Sequence, residues 1–221
     1  MHSVSQFGRQ RLTRAEQQAV TRQRVLDAAD EVFAEHGFHA ARLEEIAERA
    51  GYTRGAVYSN FKDKNELALA IIEQRIDLAT ALLRESAVGA AGDSVAAARL
   101  AGPRFAQLFE GERSWAPLFL EFLTHASRHP EIGPRLADLY RGLTESIADV
   151  LKTFSPPGPG GVSGSVDRLA SSMLAATDGV AIQRLIDPER VDPQLLGEML
   201  GWITAGRIAS NKPSGDRSVD G

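Results

Sequence analysis

The run Thr53-Arg54-Gly55-Ala56-Val57-Tyr58-Ser59-Asn60 brings a guanidinium, a phenol, hydroxyls and a carboxamide into one short helix-forming stretch. Such groups recognise nucleic acid. A guanidinium grips guanine through O6 and N7, a carboxamide contacts adenine, and hydroxyls meet phosphate oxygens. Val57, with Phe61 just beyond, gives the stretch one inward side, while Arg54, Gly55, Tyr58, Ser59 and Asn60 form a face too polar for a core. An aromatic on a short helix often serves as core, but the hydroxyl of Tyr58 and its polar neighbours favour the surface.

Two other groups of residues have chemical types and spacings of interest. Trp115, Phe119, Phe122 and Tyr140, with the polar residues Glu121, His125, Asp178 and Gln183, suit a pocket for an aromatic or amphipathic small molecule. Aromatics at helical spacing also serve as plain core. Asp178-Gly179 inside an apolar helical run is harder to dismiss, because Gly weakens a helix and a buried carboxylate needs a partner. Glu121, His125 and His129 recur at the i, i+4, i+8 spacing that can hold zinc. His129 abuts Pro130, however, and ordinary surface helices produce such pairs, so no metal is assigned. There is no HExxH motif, Gly-rich phosphate loop or nucleophile elbow, and there are no cysteines. The expectation is therefore a protein with no catalytic residues and no cofactor.

The elements that must position the polar face lie on either side of it. Leu43, Ile46, Ala47 and Ala50 make an apolar stripe at i, i+3, i+4, i+7, and Gly51 supplies the residue that a sharp turn needs. Thr53 can cap the second helix, Arg54 to Asn60; the pair is a helix-turn-helix, whose second helix enters the DNA major groove. Upstream, Thr13 and Glu16 have capping-box spacing, and Val25, Ala29, Val32, Phe33 and His36 form the core face of a supporting helix that ends at Gly37. Downstream, Asp63 and Glu66 open a long helix from Lys64 to Glu85. Lys64 sits poorly in a first turn, where the helix dipole favours anions; a DNA phosphate would relieve that tension.

Five further helices are expected, over Ser94–Phe109, Trp115–His129, Glu131–Phe154, Val166–Ile186 and Pro193–Ala209. No strand pattern appears, so the fold class is all-α with about nine helices. Residues 1–12 read as a disordered basic arm, 13–66 as the DNA-binding domain, 67–209 as a larger helical ligand-binding and dimerisation domain, and 210–221 as a disordered tail. The Pro- and Gly-rich run 155–165 reads as a loop. Net charge is −4, yet Arg9, Arg11, Arg14, Arg22 and Arg24 face only Glu16 in the first 26 residues, a local basic footprint suited to DNA. With no apolar run near membrane length and no signal-peptide pattern, the expected location is the cytoplasm, away from any membrane.

Gly37-Phe38, Ile46-Ala47, Ala50-Gly51, the TRGAVY run at 53–58 and Phe61-Lys62-Asp63-Lys64 resemble the TetR family of transcriptional regulators, over about residues 21–67. The TRGAVY-x-x-F run is most similar to the multidrug-efflux repressors within it. The resemblance implies that Thr53, Tyr58 and Lys64 contact the DNA backbone and that Arg54, Gly55, Ala56, Ser59 and Asn60 lie where bases are read. Arg42 departs from the family's usual Thr or Ser; it can reach a phosphate but cannot accept the helix's N–H bonds. The resemblance also implies a homodimer held by a four-helix bundle. The last two helices fit that role, being apolar on more than one face through Leu169, Met173, Val180, Leu196, Met199, Trp202 and Ile203. The partners expected are a near-palindromic DNA operator, a small-molecule effector and a second copy of the chain. A ligand-sequestering or protein-binding helical module without a sequence-specific DNA role is the alternative.

Overall fold

The computed structural model describes residues 13–109, 115–154, 163–192 and 194–210, with nine α-helices and no strand among them. The expected arm at 1–12, most of the 155–165 loop and all but the first residue of the expected tail lie outside the described residues. No helix among the described residues is long and apolar enough to cross a membrane. The chain divides into two compact units, one up to Ala70 and the other from Ile71.

In the first unit, α1 (Arg14–Ala40) opens on the capping box expected of Thr13 and Glu16. The Thr13 hydroxyl accepts from the Glu16 N–H at 3.2 Å, and the Glu16 carboxylate accepts from the Thr13 N–H at 2.7 Å. Val25, Ala29, Val32 and Phe33 are buried, as their spacing dictates, whereas His36 is exposed and bonds Glu45 at 2.8 Å. Gly37 leaves the helical conformation at φ 75°, ψ 169°, which a residue with a Cβ resists, and turns Phe38 into the core beside Phe33. In α2 (Leu43–Ala50), Ile46 and Ala47 are buried, and Gly51 ends it in the left-handed region at φ 73°, ψ 28°.

The next helix, α3 (Arg54–Tyr58), is shorter than its sequence pattern implies. Asn60 and Ser59 explain why. The Asn60 carboxamide donates to the Ala56 carbonyl at 2.9 Å and the Ser59 hydroxyl does so at 2.8 Å. That carbonyl is the one the Asn60 N–H would use in a continuing helix, and this N–H turns to Val57 instead. Val57, Phe61 and Leu67 complete the core.

The long helix α4 (Lys64–Gly89) begins in the first unit and continues into the second, passing the expected end at Glu85. Asp63 caps it through the Glu66 N–H at 3.0 Å, but Glu66 accepts from the Lys62 N–H at 2.6 Å, so only one arm of the expected box forms. The small-residue break follows, with Ala91 and Gly92 at positive φ. Asp93 then caps α5 (Ser94–Phe109), accepting from Val95 N–H at 2.9 Å and Ala96 N–H at 3.1 Å. After it come α6 (Trp115–Ala126), α7 (Gly133–Thr153), α8 (Ser163–Ile186) and α9 (Leu195–Ser210). Gly102 of α5 meets Gly197 of α9 so closely that a Cβ on Gly102 would lie 2.1 Å from the Gly197 Cα. Glycine at both positions is what lets these helices share one layer.

Candidate nucleic-acid interface and effector cavity

Thr53 caps α3 by accepting from the Ala56 N–H at 3.3 Å, and Arg54, Gly55, Tyr58 and Ser59 are exposed beside it. Tyr58 faces outward, leaving Val57 as the buried anchor. The Arg54 guanidinium lies 2.9 Å from the Glu44 carboxylate, donates to the Tyr58 hydroxyl at 3.3 Å and sits 5.3 Å from the centre of the Tyr58 ring. Those three side chains form one exposed cluster across the turn. Ala56 is half-buried, at the edge of the polar face.

Three expected DNA contacts have other duties. The Asn60 carboxamide N–H groups turn back onto Ala56 and Ser59, so the residue shapes the end of α3. The Lys64 ammonium donates to the carbonyls of His39 at 2.9 Å and Ala41 at 3.0 Å and lies 4.8 Å from the centre of the Phe38 ring. The tension foreseen between this lysine and the helix dipole is thus answered from inside the unit, by carbonyls left open where α1 ends. Arg42 stands at the N-cap of α2 with extended backbone and no side-chain cap bond, as its lack of an acceptor requires.

Sequence reasoning did not single out Arg22 or Glu44. Arg22 donates to the Asn60 carbonyl at 3.3 Å and lies 4.3 Å from the centre of the Phe61 ring, tying α1 to the end of α3. Nothing in the local pattern marks either residue, since each acts on a helix distant in sequence. Glu35 pairs with Arg49 at 2.5 and 2.8 Å, which holds the Glu35 carboxyl below its usual range and braces α1 against α2.

In the second unit a partly open cleft holds about 690 Å³ of atom-free space, its mouth included, of which about 50 Å³ seats the centre of a water molecule. Ile76, Ala79, Leu83, Phe105, Leu143 and Met173 supply much of its apolar wall. Arg75, Tyr140, Thr177 and Asp178 are its polar members, and Thr177 is satisfied by donating to the Met173 carbonyl at 2.9 Å. The Tyr140 hydroxyl faces both Asp178 oxygens, at 3.3 and 3.4 Å. Burial pushes the Asp178 carboxyl up to about 6, against the opposing pull of the Tyr140 bond; burial and then the Asp178 charge push the Tyr140 phenol up. Phe119 stacks on Tyr140 at 5.5 Å with 12° between planes. Phe119 and Asp178 also border a smaller hollow of about 260 Å³ with Leu120 and Ile182.

Of the expected ligand residues the structure thus joins Tyr140, Asp178 and Phe119. Phe122 is fully buried core, and Gln183 is exposed beside a separate hollow with Ile186 and Arg190. His125 stacks on His129 at 3.8 Å, and the His129 Nδ1 meets the His125 carbonyl at 2.7 Å, which occupies one nitrogen of the zinc spacing. The Trp115 side chain lies outside the described residues. Leu169, Met173, Val180 and Leu196 are buried within the protomer, so they pack its own core and present no face to a partner. Periodicity detects that a face is buried but not what buries it. Met199 and Ile203 are half-buried, while Trp202 is 60% exposed and Ile186 78%.

Residues 25–71 match the pattern of bacterial regulatory proteins of the tetR family, and residues 103–202 match the C-terminal part of BetI-type transcriptional repressors. The regulators ArpR and TtgR of Pseudomonas putida are each 30% identical to the chain over 195 residues, covering 84% of it and 89% of their own length. The chain belongs to the TetR family of transcriptional regulators. As a TetR-family member it is a DNA-binding regulator, and α2 and α3 are its helix-turn-helix. The structure of SmeT, the repressor of the Stenotrophomonas maltophilia multidrug efflux pump SmeDEF, superposes with a TM-score of 0.59 at 26% identity, covering 85% of this chain and 91% of SmeT. The second TetR-type match spans cavity residues from Phe105 to Leu200. These matches do not favour a ligand-sequestering module without a DNA role.

Proposed function

We propose that the protein is a cytoplasmic, homodimeric repressor that leaves a near-palindromic operator when a small aromatic or amphipathic effector enters the cleft around Tyr140 and Asp178. The observation that carries this reading is α4. Ile76, Ala79 and Leu83 of this helix form part of the cleft wall, and its first turn belongs to the unit that holds the helix-turn-helix. In this reading residues 13–66 bind DNA and residues 67–209 bind the effector and the partner.

Two copies of α3 occupy successive major grooves, about 34–36 Å apart, with Arg54, Gly55, Ala56 and Ser59 toward the bases and Thr53, Tyr58 and Arg42 toward phosphates. Asn60 and Lys64 act chiefly by fixing the geometry of that surface. The partner covers Trp202, Met199 and Ile203 with the exposed end of α8 at Ile182, Leu185 and Ile186. Isolated apolar side chains on a surface need no explanation, but a contiguous set of this size favours a covered face. Effector binding moves α4 and changes the spacing of the two α3 helices. That requires an effector with higher affinity for the spread state than for the DNA-bound one.

The test is fluorescence anisotropy on DNA from upstream of the protein's own gene, with a scrambled duplex and the Tyr58→Ala variant as controls. Tight binding lost in the variant, and reversed by a cleft ligand, is expected. Operator affinity untouched by a ligand that saturates the cleft would refute the regulatory step.

A further inference from the structure

Asp178 is poorly served by the group that meets it. Its oxygens lie 3.3 and 3.4 Å from the Tyr140 hydroxyl, beyond the ~2.5–3.0 Å of a good O–H···O bond. One hydroxyl carries one proton and can serve only one oxygen at a time. The carboxyl borders both hollows of the second unit, so a ligand in either can reach it. Beside it stand the stacked rings of Phe119 and Tyr140, whose faces attract cations. Arg75 shares the larger cleft, but a guanidinium close to Asp178 would draw its carboxyl down, and burial instead pushes it up. Arg75 is therefore not its counter-ion.

We propose that the effector is an organic cation, an aromatic or amphipathic molecule whose positively charged nitrogen is met by Asp178 while its apolar body lies against Ile76, Ala79, Leu143 and Met173. This rests on the effector-binding reading above and assigns the chemical class. A carboxylate held in an apolar wall attracts a desolvated cation far more strongly than it would in water. A neutral ligand of the same shape leaves that carboxylate unmet. Selection for charge resides in one side chain, and the Tyr140 hydroxyl keeps it aimed into the cleft.

The experiment is isothermal titration of the full-length protein with para-phenyl-N-methylpyridinium and with para-phenylpyridine kept neutral in mildly alkaline buffer. Wild type is expected to prefer the cation by about ten- to hundredfold. Asp178→Asn, nearly isosteric, should abolish the preference while leaving affinity for the neutral probe little changed. Tyr140→Phe keeps the ring beside Phe119 and removes only the hydroxyl, so it should retain or heighten the preference. Equal affinities in wild type, a preference that survives in Asp178→Asn, or binding of neither probe would each overturn the inference. Operator release in the same series separates it from the reading beneath it. If both probes bind equally and both release DNA, the effector reading stands and the cation inference falls. If binding selects for charge but operator affinity does not change, the cation inference stands and the regulatory reading falls.

Discussion

The Arg54 guanidinium is paired with the Glu44 carboxylate at 2.9 Å, across the turn of the helix-turn-helix. An arginine neutralised in this way is a weaker grip for phosphate on any sequence, and it yields best to a partner with fixed donor and acceptor geometry such as guanine. Glu44→Gln is therefore expected to raise affinity for scrambled DNA more than for operator, narrowing the ratio between them. The slope of log affinity against log salt should steepen by about 0.9 if Arg54 gains a phosphate. Anisotropy in a salt series on both duplexes measures this. A variant that weakens both equally would place Glu44 in direct DNA contact.

Gly102 and Gly197 make a stability prediction of opposite sign to that of an ordinary helix glycine. A Cβ on Gly102 meets the Gly197 backbone at 2.1 Å, so no side chain can move aside, and α5 and α9 must separate. Gly102→Ala is expected to cost about 3 kcal/mol or more. Gly142 lies within α7 with nothing within 4 Å of its would-be Cβ. Gly142→Ala should stabilise by about 0.5–1 kcal/mol through helix propensity alone. Thermal unfolding of the two variants beside wild type checks both signs.

The contrast between those glycines shows what a single chain discloses. Local signals were legible: the Thr13–Glu16 box, the apolar stripe of Leu43, Ile46, Ala47 and Ala50, the turn at Gly51 and the cap at Thr53 each depend on neighbours a few residues away. Pairings between distant segments were not. Glu44 with Arg54, Arg22 with Asn60, and Gly102 with Gly197 have no mark in the sequence, because each is made by tertiary packing. The same limit governs the cleft. The oddity of Asp178 in an apolar helix was visible, but its partner Tyr140 could be found only by folding the chain, and Arg75 and Met173 were missed as lining residues.

Lys64 supports a prediction that separates a structural lysine from a DNA-binding one. Its ammonium bonds the carbonyls of His39 and Ala41 and faces the Phe38 ring, all within the first unit. Lys64→Met keeps the apolar stem and removes the charge. Unfolding stability should fall by about 1–2 kcal/mol, because the carbonyls lose a charged donor. The salt slope of operator binding should stay as in wild type. A slope reduced by about 0.7–0.9 without a loss of stability would instead assign Lys64 to a phosphate.

The carboxyl of Asp178 makes the last prediction, on pH. Its ordinary value is 3.8 and burial raises it to about 6 in the folded protein. Between those values the folded state keeps a proton that the unfolded chain has released, so stability falls as pH rises through this window. Above about pH 6 the full cost of a buried charge is present, and below about pH 4 it is absent. Asp178→Asn is neutral at every pH and escapes that cost. It should be more stable than wild type at about pH 7.5, by about 1–2 kcal/mol once the partial exposure of the carboxyl is discounted. At about pH 4 the gain should vanish, since both side chains are then uncharged. Urea unfolding followed by circular dichroism at the two pH values measures the difference. A gain of equal size at both would trace to packing of the amide, and a loss at the higher pH would mean that the carboxylate has a partner stronger than the Tyr140 hydroxyl.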